Sequence, residues 1–185
     1  MAAAARGLPV REGAVNGHAD PPRRGTRALA VTVSNRAAAG VYEDRSGLVL
    51  VSLLRSAGCT AVDGPVLVPD GEPVEEALRE AVAEGYDVVV TTGGTGLTPT
   101  DRTPEMTQRV LDAEIPGIAD AIRAAGAQAV PAAILSRGVA GLAGRTLIVN
   151  LPGSAGGVRD GMAVLAPVLG HAVDQIRGGD HPRPA

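Results

Sequence analysis

The sequence predicts an α/β fold in which a parallel sheet is covered by helices on both faces. Three observations carry that reading. Runs such as ALAVTVS (28–34) and DVVVTT (87–92) are apolar nearly throughout, as strands buried on both faces are. Segments with helical spacing separate them. Polar or glycine-rich segments (VSNR, LVPDGE, TTGGTG, ILSR, VNLPGS) stand where predicted strands end. Ligands of open α/β sheets bind at those carboxyl ends, so five such segments point to one shared site.

Taken in order, 28–34 is the first strand. SGLVLVSLLRSAG (46–58) reads as a helix closed by Gly58. TAVDGPVLVPD (60–70) is extended, with a bulge or bend at Gly64–Pro65. In 73–85, Val74, Ala77, Leu78, Ala81 and Val82 share one helical face. Pro73 suits its first turn and Gly85 its end. A strand follows at 87–92. Helical pieces at 103–114 and 115–126 divide at Pro116. Strands are expected at 131–136 and 145–153, with a short loop between them. In the last helix Val158, Met162, Leu165, Leu169, Ala172 and Ile176 keep helical spacing, and Pro167 is expected to bend it near its third turn. Residues 1–25, rich in Ala, Gly, Pro and Arg, read as a disordered tail before a domain at 26–178; 179–185 form a C-terminal tail.

Composition narrows the chemistry. Of 185 residues, 45 % are hydrophobic but 1 % aromatic, with no Phe or Trp. The core is therefore aliphatic, and stacking platforms for single-stranded nucleic acid are nearly absent. All 17 basic residues are arginine. Without lysine there is no Schiff base and no Walker A loop. Net charge is −3, and the basic excess sits in the first 27 residues, which argues against a nucleic-acid partner for the domain. The single cysteine, Cys59, reads as packing and fits a reducing cytoplasm. No apolar run reaches membrane-spanning length.

TTGGTG (91–96) is the central motif. Gly93, Gly94 and Gly96 can adopt positive φ and let a phosphate approach the backbone, while Thr92 and Thr95 add hydroxyl donors. A tight turn that binds nothing is the plain alternative. Gly94→Val is expected to abolish binding at little cost in stability. Asp101, just beyond, is placed to hold Mg²⁺ against phosphates or to form an Asx-turn. Thr103 before Pro104 is expected to be the helix N-cap, which leaves Asp101 free of that duty. Asp70 ends a strand and reads equally as a cap or as a second carboxylate of a metal-assisted transfer. Arg137, after Ser136, is a phosphate partner or a solvated charge. Asn150, Pro152, Gly153 and Ser154 form a turn whose Ser154 can cap the last helix.

TTGGTGLTPTDRTPE (91–105) closely resembles the signature of the MogA/MoaB-like molybdopterin adenylyltransferases, which include the gephyrin G domain. SNRAAAGVYEDRSG (34–47), LVPD (67–70), AILSRGVAG (133–141) and NLPGS (150–154) follow in family order. The resemblance implies a three-layer αβα sandwich with a mostly parallel sheet, assembled as a homotrimer. It implies Mg-ATP-dependent transfer of AMP to the phosphate of molybdopterin, with release of pyrophosphate. Asp70 and Asp101 match its catalytic aspartates, and Mg²⁺ falls to Asp101. Substrate binding falls to Ser34, Thr92–Gly96, Thr103, Glu105, Ser136, Arg137, Asn150 and 152–154. Other molybdenum-cofactor assembly proteins are further partners it admits. Where the family often has S-D-R and a proline after NLPGS, this chain has Asn35 and Ala155. The alternative is a MoaB-like protein that holds molybdopterin without adenylylating it; the molybdate-insertion step is expected in a longer chain.

Overall fold

A computed structural model describes residues 25–41 and 43–179. The expectations for residues 1–24 and 180–185 lie outside the described residues. The elements run β1 (Arg27–Val33), α1 (Asn35–Ala38), α2 (Arg45–Ser56), β2 (Ala61–Val68), α3 (Glu72–Ala83), β3 (Val88–Thr92), α4 (Thr103–Gln108), β4 (Ala113–Glu114), α5 (Pro116–Ala129), a 3-10 helix (Pro131–Leu135), β5 (Ala140–Ala143), β6 (Thr146–Leu151) and α6 (Ala155–Ile176).

The strands form one sheet in the order β2-β1-β3-β6-β5-β4. The four from β2 to β6 are parallel, while β5 runs antiparallel to both its neighbours. Strand alternation sends side chains to two cores. Ala28, Ala30, Val88, Val90, Leu147 and Val149 pack with Leu50, Leu54, Leu165 and Leu169 from α2 and α6. Leu29, Val31, Val89 and Ile148 pack with Val74, Leu78 and Met106 from α3 and α4. The sheet is thus the middle of three layers, as expected. Chain direction brings the ends of β1, β2, β3 and β6 to one edge, and the site is built there.

Four expectations are corrected. Residues 131–135 are a 3-10 helix, not a strand; Pro131 occupies its first turn and Val130, Ile134 and Leu135 stay exposed. The strand lies in the segment expected to be a loop, at Ala140–Ala143, where pairing with β6 overrides a weak Ala-Gly-Leu-Ala pattern. The helix at 103–114 ends at Gln108, because Asp112 donates its amide to the Leu142 carbonyl at 2.7 Å and draws the chain into β4. Gly126 does not end α5. It is buried, and a Cβ there would come 3.0 Å from that of Ala133, so its smallness serves packing. Gly58 and Gly85 follow their helices with φ of 92° and 75°, as left-handed closures require. Gly64 marks a register shift between β1 and β2. The last helix is continuous through Pro167.

Candidate active site

Asp70 stands two residues past β2, and the protein surrounds it with donors. Its Oδ1 accepts from the Gly71 amide at 2.8 Å and from Thr103 Oγ1 at 3.4 Å. Its Oδ2 accepts from the Arg102 amide at 3.1 Å. Its own amide donates to Asn35 Oδ1 at 2.9 Å, which fixes the turn from the other side. It does not cap α3, whose N-cap is Gly71 with no side-chain bond. Burial pushes the carboxyl above the usual aspartate range; the Arg102 and Gly71 amides pull it back in part, and the Asp101 charge raises it further. Folding therefore favours the protonated acid. Asp70's contribution to stability is present in full below its unfolded pKa and is lost as pH rises through the folded value. A ¹³C titration is expected to give a midpoint above that of an exposed aspartate, and a lower one in Asp101→Asn. A midpoint at or below the exposed value contradicts this environment.

The glycine loop begins where β3 ends. Gly93 and Gly94 have φ of 104° and 63°, which side chains rarely adopt. A Cβ on Gly93 would overlap the Val33 carbonyl, and one on Gly94 would overlap the Asp70 and Thr103 oxygens. One on Gly96 would lie 2.8 Å from Asp101 Oδ2. Both carboxylates are therefore turned toward the loop. Asp101 closes a local turn, its Oδ2 accepting from the Thr98 amide at 3.1 Å.

Thr103 is not the cap. Arg102 takes that position without a side-chain bond, and the buried Thr103 hydroxyl turns to Asp70 instead. A Thr103 cap therefore does not account for Asp101, which itself does not cap the helix. Arg137 is a third exposed, borders the same cavity as Asp101, and is bonded within the protein. Its amide donates to Thr95 O and its Nε to Gly96 O, both at 2.8 Å. Its remaining nitrogens reach the Asp101 carbonyl and the Glu105 carboxylate. Arg137 and Glu105 thus hold the loop's shape from outside.

Other expected contacts are also engaged within the protein. Thr92 donates to the Pro152 carbonyl at 2.8 Å, so its hydroxyl proton is not offered to a ligand. Ser136 Oγ donates to Thr95 Oγ1 at 3.3 Å. Ser34 accepts from the Ala37 amide and Ser154 from the Gly157 amide, each capping a helix. Asn150 is buried in the sheet: its Oδ1 accepts from Val139 N at 3.2 Å, and its Nδ2 donates to Thr91 and Thr107 at 3.0 Å each. It supports the site from within the core rather than lining it. Pro152 and Gly153 close on the loop, a Cβ on Gly153 falling 3.1 Å from Gly93 Cα. Asn35 is the site residue that its sequence context did not assign. An Asn directly after a strand-end Ser was the available signal.

Cavities flank this loop. One of about 780 Å³ is apolar and bordered by Thr95, Gly96, Gly126, Ala133 and Gly153. Another of about 610 Å³ shares Gly153 and runs toward α2. A third of about 470 Å³ holds Asp101 and Arg102. Among the described residues no three His, Cys, Asp or Glu side chains form a metal cluster. None of their helices is long and apolar enough to cross a membrane. Cys59 is buried and its thiol is pushed up to about 11 by burial, as a packing residue.

The family model described as "Probable molybdopterin binding domain" matches residues 29–171. The molybdenum cofactor biosynthesis bifunctional protein of Synechococcus elongatus is 35 % identical over 157 residues, 85 % of this chain and 49 % of that protein. The chain therefore spans about half the length of that relative. The molybdopterin adenylyltransferase of Helicobacter pylori is 34 % identical over 151 residues, 80 % of this chain and 86 % of the enzyme. A solved structure of MogA is 58 % identical, with a TM-score of 0.79 over 81 % of this chain and 99 % of that one.

Proposed function

We propose, from the premise that this chain belongs to the molybdopterin-binding domain family, that it is an enzyme of molybdenum cofactor biosynthesis that transfers AMP from ATP to molybdopterin. In this reaction a molybdopterin phosphate oxygen bonds to the α-phosphorus of ATP. The bond from that phosphorus to the bridging oxygen breaks, and pyrophosphate leaves. The observation that carries the reading is the convergence of Asp70 and Asp101 on the positive-φ glycine loop. Relatives of high similarity that bear the name molybdopterin adenylyltransferase support it.

The residues suit the work. The nucleophile is already anionic at neutral pH, so no His or Lys base is needed. Backbone amides of the loop bind and orient phosphate. Arg137 keeps that loop in place from behind through Gly96 and Asp101. Mg²⁺ takes one or two protein carboxylates and completes its shell with phosphate oxygens and water, which fits a pair rather than a cluster. Asp70, destabilised as an anion by burial, and Asp101 would hold it. When bound it neutralises the charge of the departing pyrophosphate. The single buried cysteine fits the reducing cytoplasm in which we place this step.

The assembly is proposed to be a homotrimer. Light scattering at micromolar concentration is expected to give three times the chain mass. A stable monomer refutes that, and a hexamer assigns the chain to the MoaB-like branch. The enzymatic reading itself is tested by incubating the protein with molybdopterin and Mg-ATP and detecting adenylylated pterin.

A further inference from the structure

A buried line of hydrogen bonds runs from the middle of the sheet to Asp70. Asn150 Nδ2 on β6 donates to Thr107 Oγ1 on α4 at 3.0 Å, and Asn150 Oδ1 accepts from the Val139 amide. Thr107 Oγ1 passes its own proton to the Thr103 carbonyl at 2.8 Å. Thr103 donates its amide to the Gly94 carbonyl at 3.2 Å and its hydroxyl to Asp70 Oδ1 at 3.4 Å. Just before it, the Arg102 amide donates to Asp70 Oδ2. The directions are forced: an amide nitrogen only donates and a carbonyl only accepts, so Thr107 takes one bond and gives the other. Thr103 and Thr107 are 0 % exposed, so neither is open to a ligand.

We propose that Thr107, tied to Asn150, is a positioning residue for adenylyl transfer. It fixes the first turn of α4 against the sheet and, through Thr103 and Arg102, the place of the Asp70 carboxylate beside the glycine loop. A helical Thr that bonds the carbonyl four residues earlier is common, and by itself only local. Here the bond from Asn150, 43 residues away in sequence, ties that turn to β6. The buried Met106 side chain also seats α4, but apolar contact is non-directional, whereas a hydrogen bond sets distance and angle. A catalytic group held slightly out of place loses rate while its chemistry is intact. The kinetic part of this inference rests on the proposed reaction; the placement of α4 does not.

The test compares Thr107→Val and Thr107→Ser in the full chain with Thr146→Val. Thr146 makes the same kind of buried bond, from its hydroxyl to the Tyr86 carbonyl, at the far end of β6, so its variant controls for lost stability. Both valine variants are expected to fold with similarly lowered Tm. Without ligand, hydrogen exchange at the Arg102 and Thr103 amides is expected to quicken about tenfold more in Thr107→Val than in Thr146→Val. The rate at saturating substrates is expected to fall about tenfold in Thr107→Val alone, with KM for molybdopterin unchanged. Thr107→Ser, which keeps the hydroxyl, is expected to restore both. Thr107→Cys keeps a weak donor and is expected to lie between; it carries the test if the valine variant does not fold. If the Thr107 variant matches Thr146→Val in exchange and in rate, or serine does not rescue it, Thr107 only packs and the inference is overturned. Faster exchange in a chain that forms no adenylylated product removes the enzymatic reading and leaves the placement of α4 standing; product with unaltered exchange does the reverse.

Discussion

Asp101→Asn is expected to fold normally, to bind molybdopterin, and to lose about 100-fold or more in the rate of adenylyl transfer. Its Oδ2 accepts one bond, from the Thr98 amide, which the Asn carbonyl oxygen can replace. The turn therefore survives, and the negative charge facing Gly96 is what disappears. Asp70→Asn is expected to lose rate as well, but also stability, because its new amide nitrogen replaces an acceptor at Oδ1 or Oδ2. The double variant is expected to be impaired far less than the product of the two effects, since both carboxylates serve one step. Single-turnover kinetics alongside thermal melts separate these outcomes. Wild-type rates in Asp101→Asn remove its catalytic assignment.

Gly94→Val is expected to lose ligand binding and, with it, on the order of 3 kcal/mol of stability. From the sequence alone the expected cost is small, since a side chain there meets only a ligand. Gly94 has φ 63°, and its Cβ would run into Asp70 and Thr103 before reaching any phosphate. The substitution thus strains the backbone and displaces a proposed catalytic carboxylate. Urea denaturation measures the first effect and titration with molybdopterin the second. A variant with native stability and native binding would show that the loop tolerates a side chain, and would reduce it to an ordinary turn.

Much of this architecture is legible in the sequence because burial on two faces leaves a plain mark. DVVV and TLIV can hardly be other than central strands, and Gly58 and Gly85 end helices where left-handed backbone is required. The edge of the sheet is not legible. Ala140–Ala143 has no pattern of its own and becomes a strand only by pairing with β6. The apolar stretch at 131–135 reads as a strand by composition, yet no strand among the described residues pairs with it. At the site, the sequence locates Asp70, Asp101 and the glycine loop but not their wiring. Thr103 reads locally as a cap, whereas the approach of Asp70 from a distant element claims its hydroxyl. Arg137 reads as a ligand for phosphate, whereas loop carbonyls and Glu105 occupy it. Asn150 reads as part of a binding turn, whereas its amide bridges Thr91 and Thr107 in the core. Each of these three site contacts spans more than thirty residues of sequence, where local pattern carries no information.

The most direct test of the central claim is a single-turnover incubation of the wild-type chain, in excess, with molybdopterin and Mg-ATP, following pterin and nucleotide products together. Adenylylated molybdopterin and pyrophosphate are expected in equal amounts, with no product when Mg²⁺ is chelated. Tight binding of molybdopterin with no adenylylated product under these conditions would contradict the account and leave a protein that holds the pterin without transforming it.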